Sequence, residues 1–383
     1  MRNEKRMILA VNPGSTSLKI AVYQEKECVV EENLKIDMTD IIQKFQTYSM
    51  DGDSALMRLI YDFNDEVQMD LRALDIVVAR GGPSPPTKSG AYAINDVLLN
   101  TYRYSPRAKH ASMVGPAIAA EIAGPLGIPA IVYDFDVMDE ADLTAHLTGL
   151  PELERNMSSH ALNGRMVARL IAEERGRAYE EMNFVIAHIG GGVSICAHRK
   201  GKIIDSVFVE EGPMAPTRAG RLPTRGLIDL CFSGKYTRDE MQEFVMMTGG
   251  LMAHLGTSDA VEVEQRIERG DHYAKDVYYG MSYQISKCIA EMSAALCGKV
   301  DAVILTGGIS HSKMLTGWIA ERIGYLGPIH LFPGGDEMRA LALGGLRVLD
   351  KVEQPNVYDV VPDGFASLEQ FYEAFRLPMP VRL

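Results

Sequence analysis

Residues 183–197 read Asn-Phe-Val-Ile-Ala-His-Ile-Gly-Gly-Gly-Val-Ser-Ile-Cys-Ala, and few folds accommodate such a stretch. A β-branched run enters three consecutive glycines and leaves as a second strand over 193–197. Successive glycines reach positive φ freely and let a backbone approach a ligand without Cβ interference. A loop of exposed N–H groups is what a polyphosphate requires. His188 stands where the strand meets the glycines. Two readings stand at this point: a tight hairpin with a packed histidine, or a phosphate cradle with an imidazole at its edge.

The pattern recurs. Residues 7–11 form an apolar run that enters Asn12-Pro-Gly-Ser-Thr-Ser17 and leaves as a second run over 18–23. A third run, 300–305, enters Thr306-Gly-Gly-Ile-Ser310. Strand–turn–strand units in both halves point to a duplicated phosphate-binding domain with a ligand cleft between the copies.

At 383 residues the chain exceeds one ordinary core, so two domains are expected, 1–150 and 151–362, with the tail 363–383 folding back on the first. A net charge of −12 argues against nucleic-acid and anionic-membrane partners. The five cysteines are scattered and odd in number, which disfavours a disulfide framework or structural zinc. The apolar run after the charged N-terminus breaks at Asn12-Pro13-Gly14, too short for a signal peptide or a membrane helix. A cytoplasmic protein is expected.

Taken in order, a helix is expected over 40–63 and a buried strand over 74–79, ending at Arg80-Gly-Gly-Pro. Arg80 reads either as an anion ligand or as a surface salt bridge. An Ala-rich helix over 110–123 stops at Gly124-Pro125. The strand 130–133 delivers Asp134 and Asp136 to its C-terminal end, where open α/β sheets bind ligands; capping a helix at Asp139-Glu140 is the alternative. The segment 211–225 carries Arg218, Arg221 and Arg225 in a Gly/Pro-rich loop. Met281, Ile285, Ile289 and Met292 recur at helical spacing and read as core or subunit interface. Asp336 and Glu337 begin a helix, where a capping or dipole role would suffice. No G-x-x-x-x-G-K-[ST] loop is present.

Asn12–Lys19, His188-Ile-Gly-Gly-Gly-Val-Ser194, Pro216-Thr-Arg218 and Leu305-Thr-Gly-Gly-Ile309 together resemble the acetokinase family, within the actin/Hsp70/sugar-kinase superfamily. Val78-Ala-Arg-Gly-Gly82, Ser159-His-Ala-Leu-Asn163 and His254-Leu-Gly-Thr257 are closer to its butyrate kinase branch than to acetate kinases. The resemblance implies an α/β fold of two duplicated ribonuclease H-like (actin-like ATPase) domains. It implies ATP/ADP and Mg²⁺ as cofactors and a short-chain carboxylic acid and its acyl phosphate as partners, in a homodimer or larger homo-oligomer.

It further implies roles for individual residues. Arg218 and Arg80 clamp carboxylate and phosphoryl, His188 donates to the phosphoryl, and Asp134 stands at the reacting centre. Asn12 and Glu337 organise the metal. Gly190, Gly191 and Gly192 hold phosphates, and Gly307, Gly308 and Ile309 lie near the nucleotide, with Lys19 and Asp259 as further cofactor contacts. Ala79 falls near the acyl pocket, and Arg221 stands where that branch is expected to carry glycine. Acetate or propionate is the alternative acid, and a sugar-type kinase, which needs a carboxylate base such as Asp134, is the alternative class.

Overall fold

In the computed structural model the described residues are 5–14, 16–35, 45, 70–104, 110–135, 137–208 and 211–380. The helix expected over 40–63 lies outside them apart from Phe45, as does Asp136.

The chain divides into two compact units, 1–138 with 336–383, and 139–335. In the first, β1 (Met7–Pro13), β2 (Ser17–Gln24) and β3 (Glu27–Lys35) form an antiparallel meander. β4 (Ile76–Ala79) lies parallel to β1, and β6 (Ala130–Tyr133) parallel to β4. β5 (Ala91–Ala93) and β12 (Asn356–Val357) extend that edge, giving the order β12-β5-β6-β4-β1-β2-β3.

The second unit repeats the plan. β7 (Asn183–Ile189), β8 (Val193–Arg199) and β9 (Lys202–Val207) form the meander, while β10 (Ala302–Gly307) and β11 (Ile329–Pro333) add in parallel, ordered β11-β10-β7-β8-β9. β1 from Ile8 onward, β4 and β10 are buried along their length, as strands covered on both faces must be. The duplication anticipated from the two Gly-rich turns is therefore present at the level of topology.

The division falls before the expected boundary at 150, and the return to the first unit comes at 336, ahead of 362. The helix Glu337–Leu349 is responsible: its apolar face, Met338, Leu341, Ala342, Gly344 and Gly345, packs on β1 and β4. Sequence order does not reveal which sheet a helix covers. The residues after 336 group with the first unit, the tail included, where Phe371 and Tyr372 are buried and Asn100 Nδ2 donates to the Tyr372 hydroxyl (3.4 Å). The Ala-rich helix runs over Gly115–Leu126, past the expected stop, because Pro125 in the last turn removes only one hydrogen bond; Gly127, at φ +64°, ends it. No helix begins at Asp139-Glu140, so the capping alternative fails there: Asp139 pairs with His146 (3.1 Å), and the next helix is Leu143–His146. Met281, Ile285, Ile289 and Met292 are core of the second unit. All five cysteines are free thiols, and among the described residues no helix is long and apolar enough to cross a membrane.

The Gly344-Gly345 pair sets how closely the helix Glu337–Leu349 lies on its sheet. A Cβ on Gly344 would stand 2.4 Å from the Tyr133 ring, and one on Gly345 2.6 Å from Val78 Cγ2. Gly344→Ala is therefore expected to destabilise by about 1–3 kcal/mol, although alanine is the better helix former. Gly317→Ala, at an exposed position of the helix Lys313–Ile323 with nothing within 4 Å, should stabilise by up to about 1 kcal/mol. Urea unfolding of both variants checks the contrast.

His198, on β8, is fully buried with Nδ1 2.8 Å from the Tyr179 hydroxyl. Burial, reinforced by Arg165 and Arg169, pushes its pKa down to about 3. The unfolded ring titrates near 6.5, so between those values the unfolded chain holds the extra proton and acidification weakens the fold. One such group contributes a slope of at most about 1.4 kcal/mol per pH unit. Unfolding measured between about pH 7 and about pH 5 should lose that component of the slope in His198→Gln.

Candidate active site

In the first unit the parallel register of β1 with β4 pairs Val11 with Ala79, so Asn12 and Arg80 leave the sheet side by side. The Arg80 N–H donates to the Val11 carbonyl (2.9 Å). Both side chains converge on one oxygen, Glu337 Oε2, which accepts from Asn12 Nδ2 and from Arg80 Nη1, each at 2.7 Å. The Arg80 and Glu337 side chains are 24% and 30% exposed, so this charge-assisted pair is only partly screened. The helix cap is Asp336, which accepts from the Arg339 N–H (3.0 Å). Glu337 is thus released from capping, and the surface-bridge reading of Arg80 gives way to a shared polar cluster.

Lys19 pairs with Asn12 across the β1–β2 hairpin and is exposed. Asp134 ends β6 at φ +47° and is 2% exposed, its Oδ1 accepting from the Gly90 N–H (2.7 Å). Its own N–H donates to the Gly90 carbonyl, so this acid secures a turn. Ala79 is fully buried, about 3.5 Å from where a Cβ on Gly115 would stand. Enlarging Ala79 would test packing before specificity.

In the second unit the hairpin register sets His188 across from Ser194, and β10 sets Thr306 beside His188 on the other side. The His188 ring stacks on His160 with centroids 4.0 Å apart and planes 10° from parallel. His160 Nδ1 lies 2.9 Å from Ser194 Oγ, and His188 Nδ1 lies 3.2 Å from Asn163 Nδ2.

The basic loop docks on the glycine turn. Thr217 donates to the Gly191 carbonyl through its N–H (3.3 Å) and its hydroxyl (3.2 Å). The first N–H groups of the helix Leu251–Leu255 hold the loop from behind, Leu251 donating to Ala215 and Met252 to Pro216. Only glycine fits before that helix: Gly250 has φ +65°, and a Cβ there would lie 1.7 Å from the Ala215 carbonyl oxygen. Arg218 emerges from this pinned loop with its Nε buried and without a hydrogen-bond partner among the described residues. A buried, unpartnered guanidinium donor is costly to maintain, and an anionic ligand would satisfy it. Arg221 instead pairs with Glu291 (2.7 Å).

A cavity of about 440 Å³ brings together Gly190, Gly191, Thr217, Asp259, Gly308 and Ile309. Asp259 also caps the helix Ala260–Glu268 through the Val261 N–H (2.9 Å). Gly192 and Gly307 are absent from the lining. Gly307, at φ +91°, is pressed against the Ile189 backbone, where a Cβ would lie 2.5 Å from the carbonyl oxygen. Gly250 stands in none of the motifs above, while Asn163 and Thr306 stand in them without any sign that they meet His188. Ser194 was accessible, since a hairpin centred on Gly191 must pair 188 with 194.

The model of the acetokinase family matches residues 153–327. The protein described as probable butyrate kinase 2 of Caldanaerobacter subterraneus subsp. tengcongensis is 41% identical over 354 residues, covering 92% of this chain and 99% of that one. The crystal structure of Porphyromonas gingivalis acetate kinase superposes with a TM-score of 0.74 at 19% identity, over 90% of this chain and 100% of that one. A propionate kinase from Francisella tularensis gives 0.68 at 19%, over 88% and 98%. At that identity the two structures speak for the fold alone. Identity of 41% along nearly the whole of a relative carries more, and this chain belongs to the acetokinase family.

Proposed function

We propose that the chain is a carboxylate kinase that moves the γ-phosphoryl group of ATP reversibly to butyrate or a related short or branched C4–C5 acid, forming an acyl phosphate and ADP. The observation that carries the reading is Arg218, whose buried Nε has no partner among the described residues, on a loop hydrogen-bonded to the triple-glycine turn. The choice of acid is supported by the 41% identical relative described as probable butyrate kinase 2.

In the forward direction a carboxylate oxygen attacks the γ-phosphorus, the bond from that phosphorus to the bridging oxygen breaks, and ADP departs with the electron pair. The nucleophile is already ionised at neutral pH, so no general base is required. What remains is positioning and the stabilisation of charge on the equatorial oxygens. Arg218 and the ring N–H of His188 serve those oxygens, Gly191 offers its backbone N–H, and Arg80 orients the acid, while the Gly190 N–H closes the turn on the Gly192 carbonyl (2.9 Å).

Magnesium characteristically binds through one or two carboxylates together with substrate phosphates and water. Glu337 beside Asn12 offers such a carboxylate. When bound, the ion would neutralise phosphate charge. Exposed Ile228, Leu230 and Phe232 on and after the helix Thr224–Cys231 support self-association as a homodimer or larger. Free cysteines accord with a cytoplasmic setting.

Trapping the product as a hydroxamate, with ATP and a panel of C2–C6 acids, tests the reading. Butyrate or isobutyrate should exceed acetate in kcat/KM, each buried methylene being worth roughly 10–200-fold. Equal or better use of acetate would overturn the choice of acid, and no hydroxamate from any acid would overturn the kinase. Arg218→Ala should lower kcat by about 10²–10³ with an unchanged melting temperature.

A further inference from the structure

Behind His188 lies a short chain of buried polar groups drawn from two separate motifs. Asn163, on the helix Ala161–Glu174, is 3% exposed, and Thr306, on β10, is fully buried. Thr306 Oγ1 lies 2.9 Å from the Gly334 carbonyl oxygen, which only accepts, so the hydroxyl proton points there. Oγ1 must then accept from Asn163 at 3.0 Å, which requires the amide nitrogen at that position. The same Nδ2 lies 3.2 Å from His188 Nδ1. An amide nitrogen donates and never accepts, so Nδ1 of His188 carries the lone pair. The ring proton therefore resides on Nε2, the nitrogen 3.6 Å from where a Cβ on Gly190 would stand.

We infer that Asn163 is a positioning residue for phosphoryl transfer: held by Thr306 and Gly334, it fixes His188 in the Nε2–H tautomer and aims that donor at the triple-glycine turn. The stack on His160 fixes the plane of the ring but not its proton, because stacking is indifferent to tautomer. Proton placement needs a directional partner, and Asn163 supplies it from a helix remote in sequence. The inference rests on the role given above to His188 as donor to the phosphoryl group. Supporting partners of this kind typically cost about 10–100-fold in activity when removed.

Selective ¹⁵N-histidine labelling of the whole chain reads the tautomer directly, the His188 signals being assigned by their loss in His188→Gln. The wild-type protein should show an unprotonated Nδ1 and a protonated Nε2. Asn163→Asp keeps the shape but turns a donor into an acceptor, so Nδ1 should gain a proton, while kcat falls about 10–100-fold with the KM for ATP unchanged. Thr306→Val leaves Asn163 in place but removes its anchor, and should give a mixture of tautomers. Should Asn163→Asp fail to fold, this variant reports on the same chain.

A protonated Nδ1 in the wild-type protein overturns the inference, and so does an Asn163→Asp or Thr306→Val spectrum identical to wild type. Loss of kcat in Asn163→Asp with the tautomer unmoved also overturns it, since that is the signature of a merely structural role. Wild-type kcat in His188→Gln would instead overturn the catalytic reading of His188, with the spectra still deciding what Asn163 does to the ring.

Discussion

The second unit depends on one close approach of backbone to backbone, where β10 ends against β7. Gly307 sits with φ +91° over the Ile189 peptide, and it exchanges hydrogen bonds with Gly334, Gly307 N–H to Gly334 carbonyl at 2.8 Å and the reverse at 2.9 Å. Any side chain at Gly307 would force the strand ends apart. With the glycine there, the ends of three parallel strands meet, and His188 and Thr306 come within reach of one amide on a helix, with Thr306 held in turn by the Gly334 carbonyl. The triple-glycine turn follows directly from the end of β7, so its placement inherits the same constraint.

Each unit solves the problem of presenting charge by the same means. Polar residues leave the ends of buried parallel strands, and a helix supplies the group that organises them. In the first unit that helix is Glu337–Leu349, whose carboxylate gathers Asn12 and Arg80. In the second it is Ala161–Glu174, whose Asn163 addresses His188. Strand ends are rigid because the sheets behind them are close-packed, and rigid placement is what stabilising a transient charge demands. Arg218 comes from a loop, but the loop is pinned by the N-terminal N–H groups of the helix Leu251–Leu255 and by Gly250.

Much of this was legible in the residues. Apolar runs meeting glycine turns declared β1, β7 and β10, and their recurrence declared the duplication. Gly190, Gly191, Asp259, Gly308 and Ile309 do line one cavity. Less legible were roles that depend on a neighbour's geometry. Glu337 reads equally well as a helix cap until Asp336 is seen to hold the cap. Ala79 reads as a pocket wall until its burial inside the sheet is seen. That the Asp134 carboxylate accepts from the Gly90 N–H is likewise visible only in the fold.

The chain by itself determined what is local: where strands stop, which turns need glycine, and which short segments carry charge. Those follow from backbone sterics and hydrophobic periodicity, which act over a few residues. Tertiary structure alone decided the pairings between residues 25 to more than 300 positions apart, such as His188 with Asn163 and Asn12 with Glu337. It also decided which sheet received the helix Glu337–Leu349 and where the units divide. The physical reason is that a hydrogen bond is specified by the direction and protonation of two atoms. Only the packed positions of helices on sheets fix those directions, and no spacing within the chain encodes them.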